Sequence, residues 1–244
     1  MLRAITNSLL SIAFPQPCHN CKQAVDALSE GVACAGCWAQ TRMFSFDDPL
    51  CPKCGDILPS IQQNTASNCH QCDDHSYDSA AAGGVYEKAL AAVILELKKA
   101  PNLPEKARLL LLSAFERSSF GDVSVIIPVP LSAKRRIERG YNQAEVIGEY
   151  LSKKTGIVLD GYSLVRRVHT PMHRAGMDKK AREATVKNAF EVHRPKLIAD
   201  KSVLLVDDIF TSGATASYCA KVLKKSGAAK VNVLTLARAV SVRV

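Results

Sequence analysis

The stretch from Val203 to Tyr218, "VLLVDDIFTSGATASY", decides the fold. Four apolar residues, 203–206, end on two adjacent acids, and a turn of small and hydroxylated residues leads into a helix-forming run. An apolar run bounded by turn residues is typical of a strand that is buried on both faces. The stretch therefore predicts a strand, a tight turn and a helix, with Asp207 and Asp208 exposed at the carboxyl end of the strand.

The turn has the features of a phosphate-binding cradle. Its glycine can adopt conformations that other residues resist, and its small side chains leave successive backbone N–H groups exposed. The start of the following helix adds a positive potential that favours an anion. The candidate binding residues of this turn are Thr211, Ser212, Gly213, Ala214 and Thr215.

Two acids beside a phosphate cradle are unexpected if the ligand is phosphate alone, because like charges repel. They are expected if Asp207 and Asp208 hold the vicinal hydroxyls of a sugar whose 5′-phosphate lies in the turn. The pattern thus favours a ribose 5-phosphate site, and the alternative is an ordinary junction with solvated acids. The G-x-x-x-x-G-K motif is missing, which argues against a P-loop nucleotide hydrolase.

Strands and helices alternate along the rest of residues 77–244. Strands are predicted around 83–86 and at 123–130, 201–208 and 230–240, with helices at 87–99, 104–118, 142–156 and 214–228. Uniformly apolar strands separated by helices indicate an α/β fold with a Rossmann-like parallel sheet, covered by helices on both faces. Ligands of such sheets bind outside the carboxyl ends of the strands.

Residues 1–76 have a different character, because eight of the nine cysteines form four C-x-x-C pairs there. Two residues between thiolates allow one turn to offer two sulfurs to one tetrahedral ion. We predict a small double zinc ribbon with two structural Zn²⁺ sites, most simply from sequential pairs. Crossed pairing stays open, as do redox and disulfide chemistry. The predicted ligands are Cys18, Cys21, Cys34, Cys37, Cys51, Cys54, Cys69 and Cys72.

Other residues near these sites receive a structural interpretation. His19, His70 and His75 are bystanders or donors to the metal-bound sulfurs, because each ion already has four thiolates. Cys219 lies in the middle of a predicted helix and is expected to be a buried apolar residue.

The first residues, "MLRAITNSLLSIAFPQP", predict an amphipathic docking helix with Leu2, Ile5, Leu9 and Ile12 on one face. They lack the cleavage site of a signal peptide, and no apolar stretch of the chain is long enough to span a membrane. We expect a cytoplasmic protein without a membrane partner.

Charge divides the chain at the same place. Residues 1–76 carry 4 Lys and Arg against 7 Asp and Glu, a net charge of −3. Residues 77–244 carry 28 against 16, a net charge of +12. A basic body favours polyanionic ligands such as phosphates, pyrophosphate or nucleic acid.

Nearly the full length of the chain resembles the ComF/GntX family, in which a double zinc ribbon precedes a type I phosphoribosyltransferase domain. The resemblance is carried by the C-x-x-C pairs, by "VLLVDDIFTSGAT", which resembles the signature that binds phosphoribosyl pyrophosphate (PRPP), by "LKK", and by "PVPLSAKRRIERGYNQAE". It continues less regularly through "RRVHTPMHRAGMDKKAREATVKNAF". Two positions depart from the family, since His173 replaces a Gln and Lys99–Ala100–Pro101 replace an aromatic residue, a gap and a glycine.

The resemblance implies roles for particular residues. Asp207 and Asp208 would bind the ribose 2′- and 3′-hydroxyls, residues 211–215 the 5′-phosphate, and Lys98 the pyrophosphate with Mg²⁺. Mg²⁺ would be held mostly by oxygens of PRPP itself. A closing loop over the diphosphate would include Arg135, Arg139, Asn142 and Gln143, with both acids and both arginines as the catalytic candidates. The alternative for "KRRIERG" is a solvated helix start.

The family resemblance also implies a role in natural transformation, in which the protein handles incoming single-stranded DNA. Residues 166–187 carry seven Lys and Arg against two acids, but no aromatic residue lies between Tyr162 and Phe190. This segment is a basic flap, an electrostatic track for a DNA strand, or a polar surface loop. Two hypotheses follow: a phosphoribosyltransferase-like enzyme, or a non-catalytic adaptor of DNA uptake whose pocket is a sensor. A competence helicase or a single-strand-binding protein is the expected protein partner.

Overall fold

The computed structural model describes residues 16–25, 27, 30–58, 69, 72–167 and 189–240. The expected N-terminal amphipathic helix and residues 168–187 of the basic segment 166–187 lie outside the described residues. So do His70, His169 and His173. Within the described ranges, no helix combines the length and the apolar character that crossing a membrane requires.

A parallel sheet forms the centre of the fold, as predicted, and it has five strands, one more than the four that the sequence predicted. Its strands run in the spatial order β3–β9–β8–β4–β5. Their bounds are β3 Ser79–Val85, β4 Val125–Pro128, β5 Val158–Leu159, β8 Ser202–Phe210 and β9 Lys230–Arg238. The register places Val206 of β8 opposite Pro128 of β4 and Leu234 of β9, so the acids of β8 follow at the centre of the sheet edge.

Helices cover both faces of the sheet. They are α1 Ala35–Ala39, α2 Lys88–Leu97, α3 Glu105–Arg117, α4 Ala133–Arg139, α5 Gln143–Thr155 and α6 Ala214–Lys225. The helix α5 ends at Gly156, whose φ of 75° is the left-handed conformation that favours glycine at this position. The predicted glycine stop is therefore confirmed.

Two short antiparallel pairs lie outside the main sheet. Strands β1 (Gln16–Pro17) and β2 (Ala24–Val25) belong to the first ribbon. Strands β6 (Leu164–Arg166) and β7 (Phe190–Val192) bracket the basic segment. Neither pair was predicted, because strands of two or three residues carry too little periodicity to recognise.

Most of the described core forms two apolar layers, one on each face of the sheet, and a small third cluster contains Phe44, Ala82 and Val85. Alternate residues of β8 enter different layers, as strand geometry requires: Leu204 and Val206 enter the first layer, Val203 and Leu205 the second. The first layer also contains α2, α3 and three cysteines of the first ribbon, whose fourth cysteine, Cys21, is exposed. The second layer contains α6, the four cysteines of the second ribbon and the fully buried Cys219. The ribbons therefore pack into the same core as the sheet. A boundary at residue 76 between domains 1–76 and 77–244 stays a prediction.

Candidate functional site

The acids at the end of β8 are less accessible than predicted. The strand continues through Asp207 and Asp208 to Phe210, because β9 supplies pairing partners as far as Arg238. Asp208 is 3% exposed, and Asp207 is half-buried. The expectation that both acids are exposed at a strand end is therefore wrong. A buried carboxylate is costly unless a cation or a hydrogen-bond donor compensates its charge, so such groups are expected next to Asp208.

Lys98 lies beside the acids. It follows α2 directly, and its Nζ is 3.3 Å from Oδ2 of Asp208. The two groups are close enough for an ion pair, but they are not aligned for a hydrogen bond. Oδ2 of Asp208 therefore has no hydrogen-bond partner in the described ranges. Buried acceptors are normally satisfied, so this oxygen is suited to a hydroxyl donor from a ligand.

Electrostatics favour a ligand at the acid pair. Burial raises the pKa of Asp207 well above its usual value, and the negative charge of Asp208 raises it further. The backbone N–H of Asp208, which donates to Oδ1 of Asp207 at 2.9 Å, and the charge of Lys98 act in the opposite direction. Donors or cations placed between the two carboxylates would favour their charged forms.

The turn after β8 has the predicted form. Gly213 is left-handed with a φ of 75°, and α6 begins at Ala214. The first backbone N–H groups of a helix have no partner within the helix, and that of Ala214 makes only a long 3.4 Å bond to Oγ of Ser212. Thr211 is exposed, while Ser212 and Thr215 are half-buried at the rim. The turn thus places hydroxyls and the first N–H groups of α6 a few residues after the acids, and phosphate binding by them stays a prediction.

Gly213 is tightly enclosed, which leads to a testable prediction. A Cβ there would lie 2.7 Å from Cζ of Phe210 and 2.8 Å from Cε1 of His75. We expect Gly213→Ala to lower the free energy of unfolding by about 2–4 kcal/mol, from left-handed strain plus the clash. Urea denaturation measures it.

Gly156 is the matched control, because its φ is also 75° but nothing lies within 4 Å of its Cβ position. Gly156→Ala should therefore cost only the strain, about 1 kcal/mol. If the two variants lost equal free energies of unfolding, Phe210 and His75 would have to move aside without cost for the added methyl group.

The helix α4 and its flanks carry the predicted arginines. The Ser132 hydroxyl caps α4 and accepts from the Arg135 backbone at 3.5 Å. Burial lowers the pKa of Arg135, and the charge of Arg139 lowers it further. Arg139 donates to the side-chain oxygen of Gln143. Two guanidinium groups close enough to perturb each other form a local excess of positive charge, which suits a polyanion.

Asn142 and Tyr141 join this segment to the rest of the site. Asn142 is 1% exposed; its Oδ1 accepts from the Ala144 N–H at 3.1 Å and its Nδ2 donates to the Val129 carbonyl at 3.0 Å. The Tyr141 hydroxyl donates to the Leu97 carbonyl at 2.7 Å, immediately before Lys98. The amide of Asn142 thus caps α5 and holds it to the end of β4. Ligand contacts from Asn142 and Gln143 stay a prediction.

Arg166 also belongs to this site, although the sequence placed it only in the basic segment. Burial lowers its pKa, as does the charge of Arg135, while Cys219 and Asp207 act in the opposite direction. Its guanidinium also lies 5.2 Å from the centre of the Phe190 ring. Arg166 is therefore a further cation close enough to Arg135 and to Asp207 for their charges to affect its pKa. Its position in a three-residue strand gave no signal in the sequence.

The eight predicted zinc ligands form two clusters, and sequential pairing is confirmed. The clusters are Cys18, Cys21, Cys34 and Cys37, and Cys51, Cys54, Cys69 and Cys72. The sulfurs of each cluster lie within 4.8 Å of one another. Contacts of 3.4–3.7 Å link neighbouring sulfurs. Tetrahedral Zn–S bonds imply about 3.8 Å between sulfurs, so both clusters fit structural zinc without an open position.

Comparison with known proteins supports both parts of the chain. A double zinc ribbon domain family matches residues 9–74, and a phosphoribosyl transferase domain family matches residues 120–243. "Competence protein F" of Haemophilus influenzae is 32% identical over 231 residues, which are 91% of this chain and 96% of that protein.

Two further relatives carry names of the same kind. "DNA utilization protein YhgH" of Escherichia coli K12 is 27% identical over 93% of this chain and 99% of its own length. "Competence protein ComFC" of Bacillus subtilis is 29% identical over 47% of this chain and 44% of its own length.

Proposed function

The chain belongs to the ComF/GntX family, and we propose that it binds PRPP or a related 5-phosphoribosyl compound at the end of β8. The observation that carries this proposal is the buried Oδ2 of Asp208, an acceptor without a hydrogen bond in the described ranges. It lies beside Lys98, three residues before the turn begins. A phosphorylated pentose offers both of the groups that this arrangement needs. Its hydroxyls donate to carboxylates, and its phosphate accepts from backbone N–H groups.

Each element of the site then has one task. Asp207 and Asp208 accept from the ribose 2′- and 3′-hydroxyls, and residues 211–215 hold the 5′-phosphate. Lys98 stands beside Asp208 at the position proposed for pyrophosphate. When Mg²⁺ is bound with PRPP, it neutralises part of the charge on the diphosphate. Arg135, Arg139 and Arg166 supply further positive charge.

Calorimetric titration of PRPP with Mg²⁺ into the full chain tests this proposal. We expect one binding site per chain, with ribose 5-phosphate competing for it. Heat of binding from pyrophosphate but not from ribose 5-phosphate would contradict the assignment of the acids and the turn.

A role for the protein in competence or DNA utilization is supported by the names of the relatives. We propose that the protein acts on or alongside incoming single-stranded DNA in the cytoplasm, with a helicase or a single-strand-binding protein as partner. Arg166 and Arg167 are the described start of the basic segment, and Arg167 pairs with Glu191 at 3.0 Å. Electrostatic binding at such a surface would be sensitive to salt.

The arginines of α4 distinguish an enzyme from a sensor. Turnover with water would break the bond between C1 of PRPP and pyrophosphate, and the water oxygen would add to C1 while its proton leaves to solvent. We expect Arg135→Ala and Arg139→Ala each to slow pyrophosphate release by about 100-fold, with a smaller effect on PRPP affinity, because charge develops on the leaving group only during the reaction.

Lys134→Ala is the matched control from the same helix, since Lys134 is exposed and pairs only loosely with Glu138, at 3.9 Å. Pyrophosphate release is measured with water, free bases and DNA ends as acceptors. Binding without release from any of these mixtures would favour the sensor and adaptor role.

A further inference from the structure

Arg238 is a buried cation that connects the second cysteine cluster to the main sheet. It ends β9 and is 5% exposed. Its Nη1 donates to the Cys54 carbonyl at 2.6 Å, and its Nε donates to Oδ1 of Asp56 at 3.3 Å. Its Nη2 lies 3.2 Å from Oδ2 of Asp56 and 3.7 Å from the Cys54 sulfur. The guanidinium therefore contacts both the backbone and a ligand atom of the cluster.

The charge of Arg238 matches what a zinc-loaded cluster needs. Four thiolates and one Zn²⁺ have a net charge of −2, and Asp56 adds a further negative charge. Buried charge is costly unless it is paired and hydrogen-bonded, and the planar fork of arginine can serve several acceptors at once. Arg238 thus compensates the second cluster from within the second core layer.

The same guanidinium also contacts the start of the phosphate-binding turn. It lies 4.6 Å from the centre of the Phe210 ring, and Phe210 is paired with Arg238 across β8 and β9. Phe210 precedes Thr211, and its ring closes one side of Gly213. A shift of Arg238 would therefore move the ring on which the turn rests.

His75 forms a second connection between the cluster and the turn. Its backbone N–H donates to the Cys72 carbonyl at 3.0 Å, and its ring closes the other side of Gly213. The next residue, Ser76, donates its N–H to the Ser217 hydroxyl of α6 at 3.0 Å. Tyr77 hydrogen-bonds to the His75 ring and packs edge-on against Phe210. The turn is thus held on both sides by residues that depend on the second cluster.

The first cluster reaches the site differently. His19 contacts Glu96 at 3.4 Å, two residues before Lys98, and the first cluster shares its core layer with α2 and α3. Gly213 is enclosed by Phe210 and His75. These two residues are connected to the second cluster instead, Phe210 through Arg238 and His75 through the Cys72 carbonyl. The two zinc sites should therefore respond differently to events in the turn.

We propose that the second zinc cluster is part of the phosphate-binding site, with Arg238 as the positioning residue that couples them. Zinc in this cluster holds residues 211–215 in the form that accepts the phosphate of a phosphopentose, and the bound ligand in turn slows zinc loss from this cluster alone. The ligand half of this statement rests on the proposed function. The coupling between cluster and turn does not.

Hydrogen exchange of the turn tests the coupling without any ligand. We expect Arg238→Met to speed amide exchange at 211–216 by at least about tenfold and to speed release of one zinc equivalent to a colorimetric chelator. Arg238→Lys, which keeps the charge but loses the fork, should give intermediate values. Arg117→Met is the matched control, because Arg117 is half-buried and its guanidinium likewise donates to backbone carbonyls, those of Phe44 and Ala82, away from the second cluster.

A measurement on the unaltered chain keeps the test independent of variant folding. Saturating ribose 5-phosphate should slow the release of one of the two zinc equivalents and leave the other unchanged, because a ligand that binds only the ordered turn lowers the population of the opened form from which zinc leaves. Unchanged exchange at 211–216 in Arg238→Met would overturn the proposal, as would equal protection of both zinc ions. Faster exchange in Arg238→Met, in a protein that binds no phosphopentose, would uphold the coupling and reject the ligand.

Discussion

In the variant that carries both Asp207→Asn and Asp208→Asn, the affinity for PRPP is expected to fall by about 100-fold or more. The same variant should nevertheless melt at a higher temperature than the wild type at neutral pH. Hydrogen bonds to charged groups contribute about 1.5–3 kcal/mol each, so the loss of two carboxylates accounts for the fall in affinity. The gain in stability follows from burial, which makes ionisation of Asp207 unfavourable in the folded state.

The pH dependence gives the sign of this effect. Because the folded protein raises the pKa of Asp207, its protonated form is favoured by folding, and the wild type loses stability as pH rises from about 4 towards the raised pKa. Asn does not ionise, so the variant avoids this loss. The difference in melting temperature should be largest at pH 7–8 and should vanish near pH 4, as followed by thermal denaturation across this range.

Asp48 provides a control of opposite sign. The backbone N–H of Ser45 donates to the Asp48 carboxylate and lowers the pKa of Asp48. The hydrogen bond and the charge of Arg42 lower this pKa further. Asp48→Asn should therefore reduce stability at neutral pH and leave PRPP binding unchanged. If the Asp207/Asp208 variant bound PRPP as tightly as the wild type, the acids would have no part in holding ribose.

The strands and helices that the sequence predicted are those with long apolar periodicity. Strands β4, β8 and β9 and helices α2, α3, α5 and α6 lie within or close to their predicted ranges, because burial on both faces gives uniformly apolar strands. The C-x-x-C spacing also predicted the two clusters, since ligand geometry is local. The order of the strands in the sheet could not be predicted, because it depends on contacts between distant segments.

The site was predicted in part, for the same reason. Gly213 has the left-handed conformation that suits the predicted turn, and Lys98 lies beside Asp208, another residue that the family resemblance assigned to the same site. The contact between the two side chains was not itself predicted, and their ligand roles stay a prediction. The burial of the acids was missed, because the length of β8 is set by pairing with β9 rather than by its own residues. Arg238 was missed because one arginine near the end of an apolar strand looks like an exposed terminal charge.

Loss of a single zinc ligand should have the largest effect on stability. We expect Cys51→Ser to retain one zinc equivalent where the wild type holds two, and Cys18→Ser likewise. Structural zinc contributes on the order of 10 kcal/mol to the folding of small zinc domains, which is comparable to the whole stability of an ordinary domain. Because each cluster is part of a core layer, the damage should reach the sheet as well as the ribbon.

The two variants should differ in where the damage appears. The second cluster packs with α6 and with Phe210, so Cys51→Ser should abolish ribose 5-phosphate binding. The first packs with α2 and α3, so Cys18→Ser should loosen the segment around Lys98 and weaken pyrophosphate binding first. Metal analysis, thermal denaturation and calorimetry with each ligand separate these outcomes.

Cys219→Ala is the control for cysteine loss as such, because Cys219 is fully buried in α6 and outside both clusters. It should keep two zinc equivalents and cost about 1 kcal/mol for the small cavity. If Cys51→Ser kept two tightly bound zinc ions, four-cysteine coordination at the second cluster would be wrong. If it lost one zinc but still bound ribose 5-phosphate, the turn would hold its form without the metal, and the second ribbon would support only its own fold.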